Sequence, residues 1–191
     1  MGTGELTQSR LVEYVDRAAL ACKGDFAEIG VFEGATFHRL VRLANARGRT
    51  AHAFDSFRGM AEPGKHDNPS YPAGKFDVGG KQGFIDRMAK YGMVYGIDYQ
   101  AHEGYVPECF KDIPPEHMFA FAYVDLDHYE PTWTTLLWLH NWISPGGIIL
   151  CDDYFTGAKD GATLAVDKYT LMQGHRLPFQ ILDNNQCAIT R

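Results

Sequence analysis

Two short stretches carry paired carboxylates: "VDLD" with Asp125 and Asp127, and "CDDYF" with Asp152 and Asp153. Both follow apolar runs, "FAFAY" and "GGIIL", that read as buried strands. Residues two apart in a strand share a face, so Asp125 and Asp127 can reach one space, although at a strand tip that parity is less secure. If the two strands are parallel neighbours, their carboxyl ends lie about 4.7–4.9 Å apart, and three or four carboxylates meet at one edge of a sheet. Such a cluster either raises the pKa of one member or binds a cation. All-oxygen ligation suits a hard ion, Mg²⁺ or Ca²⁺ and also Mn²⁺. The alternative is local: Asp152 caps the next turn and Asp127 faces solvent.

A second group surrounds "EIGVFEGAT". Gly30 and Gly34 allow a tight turn and the close approach of a ligand. Glu28 lies two places before the first glycine, and the pattern is not GxGxxG, so an amine suits this turn better than a pyrophosphate. The following strand ends "AFDSF", where Asp55, with Ser56 beside it, can accept hydrogen bonds from both hydroxyls of a ribose. Read singly, the turn can be a plain strand-to-helix connection and Asp55 a turn cap. Together, Glu28 and Asp55 fit an adenosine with a positively charged amino-acid tail, which is S-adenosylmethionine. Glu103 and Gly104, next to His102 in "AHEGY", are placed to border the adenine.

These residues need a scaffold that brings several strand ends together. The 191 residues alternate strand-like and helix-like segments: helical spacing before Gly24, a strand at 25–31, a helix at 34–49 and a strand at 50–57. A helix at 81–92 and strands at 99–106 and 119–127 follow, then a helix at 130–144, a strand at 146–155 and a helix at 161–174. "PFQILDNNQCAITR" closes the chain as a hairpin around Asp183, Asn184 and Asn185. The rhythm predicts an α/β domain over 1–191: a mostly parallel seven-stranded sheet, helices on both faces and an antiparallel hairpin at one edge. Residues 59–80, dense in Gly, Pro and polar side chains, break the rhythm and read as a lid. Trp133, Trp138 and Trp142 recur at helical spacing and are expected in the core or at a subunit interface.

A net charge of −6 disfavours nucleic acid or an anionic membrane as partner. Cys22, Cys109, Cys151 and Cys187 are far apart and form no CxxC pair, so neither a disulfide framework nor a cysteine zinc site is expected. With no signal-like or membrane-length apolar run, a reducing cytoplasm is the expected location.

Taken together, "EIGVFEGAT", "FDSFRGMAEP", "YVDLDHYEPT" and "ISPGGIILCDDYF" resemble the macrocin O-methyltransferase family, in order and spacing, from about Asp25 to the helix after Phe155. The resemblance implies a Rossmann-like class I methyltransferase fold. It also implies methylation of a hydroxyl on a sugar or other natural-product intermediate, with S-adenosylmethionine and Mg²⁺ as cofactors. It makes Asp125, Asp152 and Asp153 the metal ligands and leaves Asp127 a supporting role. His128 stands where the family more often has an aliphatic residue; it either touches substrate or covers the sheet edge. His66, after the "DSFRGMAEP" stretch, is the candidate general base. The chain starts one helix before its first strand, so a longer N-terminal substrate arm is expected to be absent and a large macrolide-type acceptor is disfavoured. The expected partner is a small hydroxylated acceptor, and a homo-oligomer is compatible with the sequence. Competing readings are a Rossmann oxidoreductase, against which the missing GxGxxG counts, and a catalytically silent partner protein, against which the intact carboxylates count.

Overall fold

The run "FAFAYV", buried at all six positions, forms a central strand of the sheet in a computed structural model that describes residues 8–155, 160–174, 176–183 and 185–191. Apolar residues on both sides of a strand require helices on both faces, and that is the architecture found. Helix α1 (Gln8–Ala21) leads into β1 (Asp25–Ile29), α2 (Phe37–Asn45), β2 (Ala51–Asp55), α3 (Gly80–Lys90) and β3 (Tyr99–Glu103). After a short 3-10 turn at Glu108–Phe110 come β4 (Phe119–Val124), α4 (Tyr129–Trp142), β5 (Ile143–Cys151), α5 (Gly161–Met172), β6 (Phe179–Leu182) and β7 (Gln186–Thr190).

The sheet order is β3-β2-β1-β4-β5-β7-β6. The first five strands are parallel, and β7 runs antiparallel between β5 and β6. Strand order therefore reverses between β1 and β4, which opens a crevice beyond their carboxyl ends. The expected sheet, hairpin and helical layers are all present; Asn184, which the sequence reading assigns to the hairpin turn, lies outside the described residues.

One face packs Phe26, Phe121, Tyr123 and Leu150 against Leu11, Tyr14, Val15 and Ala18 of α1, with α2 and α3 alongside. The four α1 residues are spaced to form one helical stripe. The other face packs Ala27, Ile29, Phe54, Ala122 and Ile149 against Leu136 and Leu139 of α4 and Val166 and Tyr169 of α5. Trp138 joins this second core, stacked on Phe110 at 4.0 Å and beside Trp142 at 5.2 Å, so the tryptophans pack within the chain.

The sequence reading carries α4 to Ser144, but the helix stops at Trp142 and β5 begins at once. Pro145 explains the difference, because it drives the preceding residue out of the helical region. Ser144 Oγ instead donates to the Lys23 carbonyl at 2.6 Å. Among the described residues, no helix is long and apolar enough to cross a membrane.

Candidate functional site

The sheet's hydrogen bonding continues one step past each parallel strand. The amides of Gly30, Asp125, Asp152 and Gly104 donate to Phe54, Ile29, Val124 and Asp55 carbonyls, each at 2.9 Å. This row aligns the tips of five strands and brings all the expected site residues except His66 to one edge. Gly30 is required by the protein itself. Its φ is +86°, and a Cβ there would stand 1.8 Å from the Asp125 carbonyl oxygen. The turn and the first carboxylate of "VDLD" are thus packed backbone to backbone. Gly34 is restricted likewise, its Cβ position lying 2.6 Å from Met88 Sδ.

Asp55 organises that turn. Its Oδ2 accepts from the amides of Val31 at 2.8 Å and Phe32 at 3.2 Å, and its Oδ1 from Phe57 at 2.7 Å. Burial raises its pKa, and these amides act against the rise. Ser56 closes the next turn, donating to the Gly59 carbonyl at 2.7 Å and accepting from the Arg58 amide at 3.1 Å. Glu103 faces Asp55 across the β2–β3 pair and accepts weakly from the Lys81 amide at 3.4 Å. Gly104 packs against the backbone of Cys109.

Glu28 lies beneath the edge, 2% exposed, and its Oε2 has no hydrogen-bond partner. Burial, then the charges of Asp55 and Asp152, hold its pKa well above the usual carboxylate range. It pairs in register with Tyr123 of β4, whose hydroxyl donates to Asp152 Oδ2 at 2.8 Å; Gln186 Nε2 donates to Asp152 Oδ1 at 3.1 Å. Asp152 therefore points to the α1 side of the sheet, with both oxygens held.

The tightest convergence of carboxylates involves Asp125, Asp127 and Asp153, whose ligating oxygens lie within 4.8 Å of one another. β4 ends at Val124, so strand parity no longer governs these residues; Asp127 and Asp153 both take left-handed backbone conformations, with φ of 57° and 56°. Asp tolerates that region better than most residues, and its use at two adjacent strand tips turns both side chains inward. Burial raises the pKa of Asp125 well above normal, and the charges of Asp152, Asp153, Asp127 and Glu28 add to the rise. Burial and the Asp153 charge bring Asp152 to about 6, and burial with the Asp127 charge brings Asp153 to about 8.

The 59–80 segment folds over this edge. The Met60 amide donates to the Lys75 carbonyl at 2.8 Å and the Gly74 amide to the Met60 carbonyl at 2.9 Å, lacing its limbs together. Asp67 accepts from the Gly64 amide and from the Tyr129 amide, both at 2.7 Å, which latches the segment to the start of α4. His66 is thereby brought against the Tyr129 ring, with centroids 4.9 Å apart. Tyr71 faces the cluster: after burial, the charges of Asp127, Asp153 and Asp125 raise its pKa. Lys75 Nζ sits 3.6 Å over the Tyr71 ring, and its charge draws the Asp127 pKa down against burial. Phe32 and Phe76, at 43% and 38% exposure, meet edge-on at 5.0 Å at the rim. His128, at the start of α4, is 3% exposed, and its Nε2 is buried without a hydrogen-bond partner.

Sequence reasoning did not single out Tyr71, Lys75, Asp67, Tyr123 or Gln186. "SYPAGKF" carries a signal in the aromatic–cation spacing of a lid, whereas Tyr123 and Gln186 become visible only once strand register is known.

The macrocin-O-methyltransferase (TylF) family matches residues 4–191 of the chain. Demethyldecarbamoylnovobiocin O-methyltransferase of Streptomyces niveus is 29% identical over 174 residues, covering 84% of this chain and 61% of that protein. The chain therefore spans about three-fifths of this curated relative. Among solved structures, the O-methyltransferase NovP aligns with a TM-score of 0.76 at 22% identity, over 96% of this chain and 78% of the other. The calicheamicin methyltransferase CalS11 aligns with a TM-score of 0.74 at 21% identity, over 97% and 80%. These two likenesses establish the class I methyltransferase fold.

Proposed function

Because the chain belongs to the macrocin-O-methyltransferase family, we propose that it transfers a methyl group from S-adenosylmethionine to a hydroxyl of a small molecule, a sugar or other natural-product intermediate. A divalent ion, Mg²⁺ first and Mn²⁺ or Ca²⁺ as alternatives, assists. The observation that carries this reading is the convergence of Asp125, Asp127 and Asp153 oxygens within 4.8 Å at the β4 and β5 tips, with Asp152 beside them on the β5 tip. The donor set is all oxygen, as a hard cation requires; burial first and mutual repulsion second raise the carboxylate pKa values, and such a cation offsets both.

Asp125, Asp152 and Asp153 are the proposed ligands. Each Asp152 oxygen keeps a lone pair beyond its bond to Tyr123 or Gln186, so these two residues orient the ligand without consuming it. Asp127 aligns Asp153 and would offer the ion a further carboxylate oxygen. When bound, the ion supplies Lewis acidity and a template for the acceptor oxygen. Glu28, Gly30, Gly34, Asp55, Ser56, Glu103 and Gly104 are the proposed cofactor residues. The unpartnered Glu28 Oε2 is an acceptor suited to a donor from the methionine portion, while Asp55 and Glu103 border the ribose and adenine end.

Methyl transfer breaks the sulfonium S–CH₃ bond, forms O–CH₃ and releases the hydroxyl proton. His66, latched near the cluster through Asp67, is the proposed acceptor of that proton. Tyr71, Lys75, Phe32 and Phe76 then line the acceptor's approach. A methyl-transfer screen over hydroxylated acceptors, with and without EDTA, tests the reading. Activity that EDTA abolishes and Mg²⁺ restores supports it; methylation that survives full chelation removes the metal from the mechanism.

A further inference from the structure

At the opposite end of the sheet, where the strands begin, a second set of metal-type ligands converges. Asp25 opens β1, His52 is the second residue of β2, and His117 lies two residues before β4. One ligand atom from each lies within 4.8 Å of the others. The carboxylate divides its work. Asp25 Oδ1 accepts from the Thr50 amide at 2.9 Å, whereas Oδ2 is approached by His52 Nε2 at 3.3 Å and by His117 Nε2 at 3.5 Å. His117 Nε2 is buried and has no hydrogen-bond partner.

Those separations have a meaning in coordination chemistry. Ligand atoms about 2.0–2.1 Å from a tetrahedral zinc ion stand about 3.3 Å from one another. Both distances to Asp25 Oδ2 are close to such a separation, the third lies within 4.8 Å, and an ion between the three gives the orphaned His117 nitrogen a partner. His52 also has the expected outer support. With Nε2 used for ligation, Nδ1 carries the proton and donates to His102 Nε2, 3.0 Å away. A ligating histidine anchored through its other nitrogen is the usual arrangement in metal sites. A cavity of about 590 Å³ opens beside Asp25 and His117, giving an ion and a fourth ligand a way in. Arg47 and Arg49 also border it, but Arg49 is committed to the carbonyls of Ala19, Cys22 and Gly24, and Arg47 to Asp16. Two imidazoles and one carboxylate with an open position suit Zn²⁺ or a neighbouring transition ion rather than Mg²⁺.

We propose that Asp25, His52 and His117 form a binding site for a divalent transition-metal ion of the zinc type, separate from the carboxylate edge. The site fastens the entries of β1, β2 and β4 together, and its existence does not depend on the methyl-transfer reading.

The test uses tag-free full-length chain kept saturated with Mg²⁺, so that the carboxylate edge is occupied, and titrates it with Co²⁺. One equivalent should produce the strong visible d–d bands of tetrahedral cobalt, and Zn²⁺ should erase them. His117→Gln should abolish the bands, while Asp125→Asn should leave them intact. Should His117→Gln fail to fold, His102→Leu removes the acceptor behind His52 and should weaken Co²⁺ binding about 10–100-fold. Absence of tetrahedral bands in the wild type overturns the proposal. So do bands that survive His117→Gln, bands that vanish with Asp125→Asn, or unaltered binding in His102→Leu.

Discussion

Asp127 and Asp153, which follow two neighbouring parallel strands, bring carboxylate oxygens within 4.8 Å of each other, so that they share one proton, and burial with the Asp127 charge raises the Asp153 pKa to about 8. Like charges this close in a partly dry site do not both ionise. The pair stores in one proton the repulsion that a divalent cation would otherwise balance.

The shared proton sets a pH dependence. An acid that binds its proton more tightly when folded stabilises fully below its unfolded pKa, and loses that contribution as pH rises through the folded value. For Asp153 the window runs from about 4, the ordinary carboxylate value, up to about 8. In EDTA, the melting temperature should fall as pH rises toward 8, and either Mg²⁺ or Asp153→Asn should flatten the decline. A flat wild-type curve in EDTA rules out the shared proton.

Tyr123→Phe removes the donor to Asp152 and little else, since the ring stays in the core. Mg²⁺ affinity, read from the metal dependence of methyl transfer, should weaken about 10–100-fold. The thermal stability of the metal-loaded protein should change far less. Unchanged metal dependence means that Asp152 is not oriented through this hydroxyl.

Gly30→Ala combines a positive φ with a clash against the Asp125 carbonyl. Backbone strain of this kind costs about 1–3 kcal/mol, and displacement of the β4 tip adds to it. Urea denaturation should show a loss of at least about 2 kcal/mol. S-adenosylmethionine and Mg²⁺ binding should weaken together, because one backbone contact supports both ends of the site. Separate effects on the two ligands contradict that coupling.

His66→Gln keeps a hydrogen-bonding side chain in the 59–80 segment and removes the proposed base. The rate constant for transfer should fall on the order of 10²-fold or more, with S-adenosylmethionine affinity unchanged by calorimetry. An undiminished rate in the variant transfers the base role to another group.

How much of this was legible in the sequence differs by element. The strand–helix rhythm, the seven-stranded sheet and the closing hairpin follow from patterning, because a buried parallel strand such as "FAFAYV" has few other readings. The clustering of Asp125, Asp127, Asp152 and Asp153 was legible for the same reason: parallel neighbours place their ends together. Which oxygens converge was not. That depends on the left-handed turns at Asp127 and Asp153 and on Tyr123 holding Asp152, both consequences of backbone beyond the last strand residue. The histidines were invisible as a group because His52 and His117 are separated by 64 intervening positions and meet only through sheet register.

The Asp67 latch ties the middle of the long excursion between Gly59 and Gly80 to α4. Past it, residues 68–73 carry Tyr71 and return at Gly74 and Lys75, whose backbone is laced to Met60. That stretch is thus a cassette. Its side chains can be exchanged while the latch and the lacing keep their footing. Redesign of the proposed acceptor pocket therefore has a natural unit, residues 68–73, bounded by fixed points on either side.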